Sequence, residues 1–199
     1  MSQQKTSYTL IERAINTDDQ EAWSQIYEFY KKFMLKILNN IGIPSNECED
    51  VVQVILVSLT KNLSKYDRSK GRFSTWLGQV VKHAGYRHFH KQENYAKKLE
   101  SASEQSIFDS YISSNDFEKK ITEEWEAYLY NEACKRLEGT YRGKSLIAFK
   151  MYIEGCSLSQ IEEATQYTPG TIYTLRKRVR TSIIAEIRSI AQDHGDIAY

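Results

Sequence analysis

Two stretches of this chain carry side chains suited to holding a polyanion. Between Lys65 and Lys91 stand 7 basic residues and 1 acid, together with His83, His88 and His90, and Tyr66 and Phe73 lie near the ends of the loop KYDRSKGRF. Cations can track a phosphate backbone, and aromatic or apolar surfaces receive bases that have left the stack. In the second stretch Thr168, Gly170, Thr171, Tyr173 and Thr174 precede Arg176, Lys177 and Arg178. Short polar side chains at a helix start reach base edges in the major groove, and cations a turn later hold phosphates. A solvated helix face is the ordinary alternative for such a run.

Groups for covalent chemistry are not assembled in the same way. Glu49 and Asp50 are adjacent acids, but no nucleophile, metal-ligand spacing or Gly-rich phosphate loop accompanies them, so no enzyme activity and no cofactor are expected. His83 and His90 could share a helix face, yet no carboxylate or cysteine stands at ligand spacing, and the histidines are read as surface groups rather than a metal site. The 3 cysteines, Cys48, Cys134 and Cys156, form no CxxC pair, which fits a reducing cytoplasm. The N-terminal MSQQKTSYTL has no cationic start before an apolar core, and no signal peptide is expected. The most apolar run, Val51–Leu59, includes Gln53 and Ser58 and falls far short of the roughly 20 residues that span a bilayer.

The elements that must position these residues read as helices throughout. Over 199 residues there are 2 prolines and 9 glycines, few breakers for such a length. Leu10, Ile11, Ala14 and Ile15 mark a short first helix. Asp18 or Asp19 then caps a longer one, with apolar residues at helical period from Ala22 to Ile41 and Gly42 as its stop. After Pro44, Ser45 or Asn46 caps a third helix running to about Leu63. Ser74 caps a fourth, with Phe73, Trp76, Leu77, Val80, Val81 and Ala84 on its apolar face and Gln79, Lys82, His83, Tyr86, Arg87 and His90 opposite. Trp76 is accordingly read as a core residue.

Residues 93–115 lose this period, with a possible turn at Ile107–Ile112, and it returns at Phe117, Ile121, Trp125, Tyr128 and Leu129. A helix at 145–154, a stop at Gly155, a short helix at 158–165 and a long one from Thr168-Pro169 towards Ile190 complete the pattern. Ser157-x-x-Gln160 has capping-box spacing, and proline at a first helical position loses no hydrogen bond. Only Gln166 and Tyr167 link the last two helices, so they cross steeply as a helix-turn-helix.

The expected architecture is all-α, with two small helical domains joined by a flexible linker. The domains span 1–92 and 117–190, the linker 93–116 and the tail 191–199. Charge follows the same division. Residues 1–92 hold 13 Lys/Arg against 9 Asp/Glu, residues 93–139 hold 6 against 11, and residues 140–190 hold 8 against 4. Two basic modules around an acidic connector suit two polyanion contacts on one chain.

AFKMYIEGCSLSQIEEATQYTPGTIYTLRKRVR resembles the region-4 helix-turn-helix of sigma factors, with Phe149, Tyr152, Glu154-Gly155, Ser157, Ile161, Gly170-Thr171-Ile172, Arg176 and Arg180 in register. EDVVQVILVSLTKNLSKYDRSKGRFSTWLGQVVKHAGYRHFHK resembles sigma region 2 through Asp50, Gln53, Leu59, Asp67, Gly71, Phe73, Trp76 and Leu77. The order of the two, with no further domain expected, resembles that of extracytoplasmic-function (ECF) sigma factors of the sigma-70 family.

The resemblance implies that helix 46–63 docks on core RNA polymerase through Asp50, Gln53, Leu56 and Lys61. It implies that the melted non-template strand of the minus-ten element meets Lys65, Tyr66, Arg68, Lys70, Arg72, Gln79, Lys82, His83 and Arg87. Thr168, Gly170, Thr171, Tyr173, Thr174, Arg176, Lys177 and Arg178 would read the minus-thirty-five element of duplex promoter DNA. An anti-sigma partner and a cytoplasmic location are implied as well.

The sequence departs from the family pattern at four places. Val54 stands where an acid is usual, Glu162 where a small alanine lets two helices touch, and Thr165-Gln166 where Leu-Gly is usual. A non-glycine residue in a left-handed turn costs on the order of 1 kcal/mol. A sigma-like helix-turn-helix regulator that no longer engages polymerase, and a histidine-dependent metal enzyme, are the competing readings.

Overall fold

The computed structural model describes residues 9–16, 19–96, 117–194 and 196. The expected turn at Ile107–Ile112 lies outside them, as does most of the connector. The described residues form eight α-helices, two 3-10 turns and no strand: α1 Leu10–Asn16, α2 Gln20–Asn40, α3 Ser45–Asn62, the turns Leu63–Lys65 and Arg68–Lys70, α4 Phe73–Ala96, α5 Phe117–Glu138, α6 Lys144–Ile153, α7 Leu158–Thr165 and α8 Pro169–Asp193.

Local chemistry accounts for most of the helix ends. Asp19 accepts from the Ala22 backbone N–H at 3.0 Å and starts α2, while Gly42 turns the chain at its end with φ 93°. Ser157 and Gln160 form the capping box reciprocally: the Ser157 N–H donates to Gln160 Oε1 at 2.8 Å and the Gln160 N–H to Ser157 Oγ at 3.3 Å. Two expected caps differ. Ser45 lies inside α3 behind Pro44, and its hydroxyl donates to Asn39 Oδ1 at 3.1 Å. Ser74 lies inside the first turn of α4, where the Arg72 carbonyl accepts from the Trp76 N–H at 3.1 Å. α4 also runs past Lys91 to Ala96, because nothing in KQENYA breaks a helix.

The chain divides into two compact units, 1–126 with 193–196, and 127–192 with 197–199. The expected division fell in 93–116, whereas the units part within α5. The reason is the core of the first unit. Its apolar residues come from α1 to α4 and include Ile26, Tyr30, Phe33, Ile55, Phe73 and Leu77, and Phe117, Ile121 and Trp125 of α5 are buried with them. Trp125 is 2 % exposed, stacked on Tyr30 (centroids 5.5 Å, interplanar 8°) and edge-on to Phe33 at 5.0 Å. A Cβ built on Gly78 of α4 would lie 2.8 Å from Ile121 Cγ2, so α4 and α5 approach as closely as they do only because residue 78 has no side chain. Asn40 donates to Glu124 at 2.7 Å, and His88 meets Glu47 at 2.6 Å, joining α4 to α3.

The second unit packs Leu129, Ala133, Ala148, Phe149, Ile161, Thr165, Ile172, Leu175, Val179, Ile183 and Ile190. Tyr141 stacks on Phe149 at 4.6 Å. Gly155 (φ 81°) turns the chain between α6 and α7, where a stop was expected.

Candidate nucleic-acid interface

α3 turns one face to its own core through Val51, Val52, Ile55 and Leu59 and leaves the other open. Asp50, Gln53 and Lys61 lie on the open face, and Leu56 is half-buried at its margin. Val54 and Val57 share this face and are 58 % and 59 % exposed. Two solvated valines beside an acid and an amide make this face amphipathic rather than purely polar.

The loop after α3 is shaped by its own side chains. Asp67 accepts from the Ser69 N–H (2.9 Å) and hydroxyl (2.6 Å), with Lys70 Nζ at 3.6 Å, and so caps the turn that carries Arg68 and Lys70. The two Ser69 hydrogen bonds hold the Asp67 carboxyl below its ordinary value. Tyr66 crosses the loop and donates to the Gly71 carbonyl at 3.0 Å. Its ring meets Phe73 edge-on at 5.2 Å and Trp76 at 5.6 Å. Burial, then the nearby Asp196 carboxylate, push the Tyr66 phenol up to about 12, so it stays a donor at neutral pH. Lys65, Arg68 and Lys70 point to solvent, and Arg72 is half-buried.

Beside the loop, α3 and α4 enclose a cleft of about 340 Å³ lined by Ser58, Leu59, Asn62, Trp76, Val80, His83, Tyr86 and Arg87. Its floor is aromatic and aliphatic and its rim is cationic and hydrogen-bonding, which suits an unstacked base. His83 and Arg87 of the expected track belong to this cleft. Gln79 is half-buried, and Lys82 is drawn aside, its ammonium 4.6 Å from the Phe117 ring centroid. Trp76, read from the sequence as core, is half-exposed and lines the cleft. The signal for it was present: residues 76, 80, 83 and 87 form a helical stripe offset from the buried stripe 73, 77, 81 and 84.

In the second unit the outward face of α8 carries Gly170, Thr171, Tyr173, Thr174, Lys177 and Arg178, all exposed, with Arg176 half-buried. Tyr173 is 70 % exposed. Thr168 accepts from the Thr171 N–H at 3.3 Å, starting the helix as its sequence implies. Arg176 lies over the Tyr152 ring at 5.0 Å and Arg178 over Tyr141 at 6.0 Å, which orients both guanidinium groups. The turn before α8 is left-handed at Gln166, φ 57° and ψ 28°. Thr165 is fully buried and its hydroxyl donates to the Ile161 carbonyl at 2.6 Å, whereas Glu162 faces solvent. Ile161 and Thr165 are thus the residues that α7 buries, and Glu162 is not among them.

Among the described residues, no three His, Cys, Asp or Glu side chains are grouped to hold a metal ion, and no helix is long and apolar enough to cross a membrane.

Residues 26–95 match the family model of Sigma-70 region 2. No curated protein matches the chain. Among solved structures, the one described as "Structure of CnrH in complex with the cytosolic domain of CnrY" is 15% identical, with 90% of this chain and 96% of that chain covered and a TM-score of 0.35.

Proposed function

We propose that this chain, whose residues 26–95 match the Sigma-70 region 2 model, is an ECF-type sigma factor of the sigma-70 family that binds core RNA polymerase and directs promoter recognition, melting and initiation. The observation that carries the reading lies within region 2. A cationic loop shaped by Asp67 and Tyr66 borders a cleft containing Trp76, and the exposed strip of α3 lies in the same domain.

The roles follow from chemistry. Asp50, Gln53 and Lys61, with Leu56 at the margin, dock α3 on the polymerase clamp, and Val54 and Val57 add apolar contact in place of a second acid. Lys65, Arg68, Lys70 and Arg72 hold phosphates of the non-template strand. An unstacked minus-ten base enters the cleft, where stacking contributes about 1–3 kcal/mol per base. Thr168, Gly170, Thr171, Tyr173 and Thr174 meet base edges of the minus-thirty-five duplex, and Arg176, Lys177 and Arg178 hold its backbone. The protein then acts in the cytoplasm by binding, without catalysis of its own, under control of an anti-sigma partner.

Run-off transcription with bacterial core polymerase and genomic promoter fragments tests this. Specific starts that Asp50→Ala/Gln53→Ala abolishes support it. Duplex binding without core binding or initiation replaces it with a stand-alone helix-turn-helix regulator.

A further inference from the structure

Three consecutive cations stand on α8, and their surroundings differ. Lys177 is exposed. Arg176 is half-buried and lies over the Tyr152 ring at 5.0 Å. Arg178 is exposed, yet it lies over the Tyr141 ring at 6.0 Å. Arg178 also lines, with Ser145, Thr168, Gly170, Thr171 and Thr174, a groove of about 570 Å³ between α6 and α8. That groove carries residues that meet base edges in the reading above, so of the three cations Arg178 is the one whose placement bears most on DNA.

Tyr141 is itself held in place. Its ring stacks on Phe149 with centroids 4.6 Å apart and planes at 15°. Phe149 is fully buried and Tyr141 is 7 % exposed. The loop that carries Tyr141 is fastened on both sides. The Thr140 and Tyr141 N–H groups donate to the Leu137 and Glu138 carbonyls at 2.9 and 3.2 Å, and the Ser145 hydroxyl donates to the Arg142 carbonyl at 2.7 Å. A guanidinium resting on so fixed a ring loses less rotamer freedom when DNA arrives. At 6.0 Å the attraction lies at the outer edge of the cation–π range, so the contact contributes direction more than strength.

We propose that Tyr141, which lies outside the helix-turn-helix, is a positioning residue for Arg178: it presets the guanidinium beside the groove, so that duplex DNA meets an arginine already in place. This role presupposes that α8 binds duplex DNA, as proposed above.

The test uses the full chain and a fluorescein-labelled mixed-sequence DNA duplex, read by anisotropy. Tyr141→Leu keeps an apolar group against Phe149 and removes the ring face. It is expected to weaken binding about fivefold, the scale of one side chain's lost preorganisation. Tyr141→Phe keeps the ring and is expected to bind within about twofold of the wild type. Arg178→Ala is expected to weaken binding, and adding Tyr141→Leu to it should weaken binding no further. In a Lys177→Ala background, Tyr141→Leu should still weaken binding about fivefold.

A second measurement uses the unaltered chain and so does not depend on how the variants fold. NMR relaxation of the Arg178 side-chain Nε, without DNA, should show it more restricted than the Nε of Arg180, which is exposed on the same helix. Equal mobility of the two overturns the positioning role. So does wild-type binding by Tyr141→Leu, or the same fivefold loss from Tyr141→Leu in the Arg178→Ala background. Each of these leaves the sigma reading standing. Wild-type binding by Arg178→Ala removes the contact between Arg178 and duplex DNA and overturns both the positioning role and the assignment of Arg178 to the duplex site.

Discussion

The two basic faces of this chain differ in what lies on them. On α8 the face is open, with Tyr173 70 % exposed and Lys177 and Arg178 at the surface. In the first unit the corresponding surface is partly taken by the chain itself. Lys82 sits over Phe117, Gly78 is covered by Ile121, and Asp196 sits by Arg72 and Ser74. Equal formal charge therefore does not make equal binding sites. A duplex-reading helix needs only exposed side chains on a rigid cylinder, whereas a single-strand site needs a cleft, and the groups that line it also attract other parts of the polymer.

The contrast can be broken most severely at Trp125. Removing a fully packed aromatic costs about 3–5 kcal/mol. Trp125→Ala should lower the stability of the first unit by that amount in denaturant titrations, while protection of α7 and α8 amides changes little. Gly78→Ala should follow at about 1–3 kcal/mol, since Ile121 must move to admit the methyl group. Its effect should appear as faster exchange in α4 and in α5 before residue 127.

On the other side of the comparison, Ser157→Ala removes half of the capping box and should cost about 1 kcal/mol in the second unit. Gln166→Gly relieves the left-handed turn and should raise that unit's stability by about 1 kcal/mol. Both are read from the denaturation midpoint and should leave the first unit unmoved.

The smallest effect is that of pH. The carboxyls of Asp19 and Asp67 are held below their ordinary value of 3.8, the first chiefly by the Ala22 N–H and then by Arg13. Their stabilisation is present above pH 3.8 and is lost as pH falls through the lowered folded-state values. Asp196 is raised from 3.8 by burial. Its docking is strongest below that value and weakens as pH rises through the raised folded-state value. Intrinsic-rate-corrected protection of the first turn of α4 should therefore increase on moderate acidification, while that of α2 holds until lower pH.

These expectations separate what periodicity reveals from what it leaves open. α2, α7 and α8 were legible because cap residues and apolar stripes agree, and the left-handed turn at Gln166 was visible as a residue where a glycine is usual. The stripe Phe117–Ile121–Trp125 was legible as a buried face, but a stripe does not say which core buries it, and its partners are Tyr30, Phe33 and Gly78. Trp76 shares a helix with Phe73 and Leu77, and only the angle between two adjacent stripes puts it in the cleft. His194 and Asp196 gave no signal at all. Two polar residues in a short tail carry no period, and their burial depends on surfaces that come from other parts of the chain, such as the Phe29 ring under His194.

The most direct measurement of the central claim is permanganate reactivity of promoter thymines in a complex of core polymerase, this chain and a promoter fragment. The account predicts reactive thymines at the minus-ten position only when the chain is present, and their loss with Arg68→Ala/Arg72→Ala while protection by α8 persists. Protection of duplex DNA with no reactive thymines, from the wild-type chain, would contradict it.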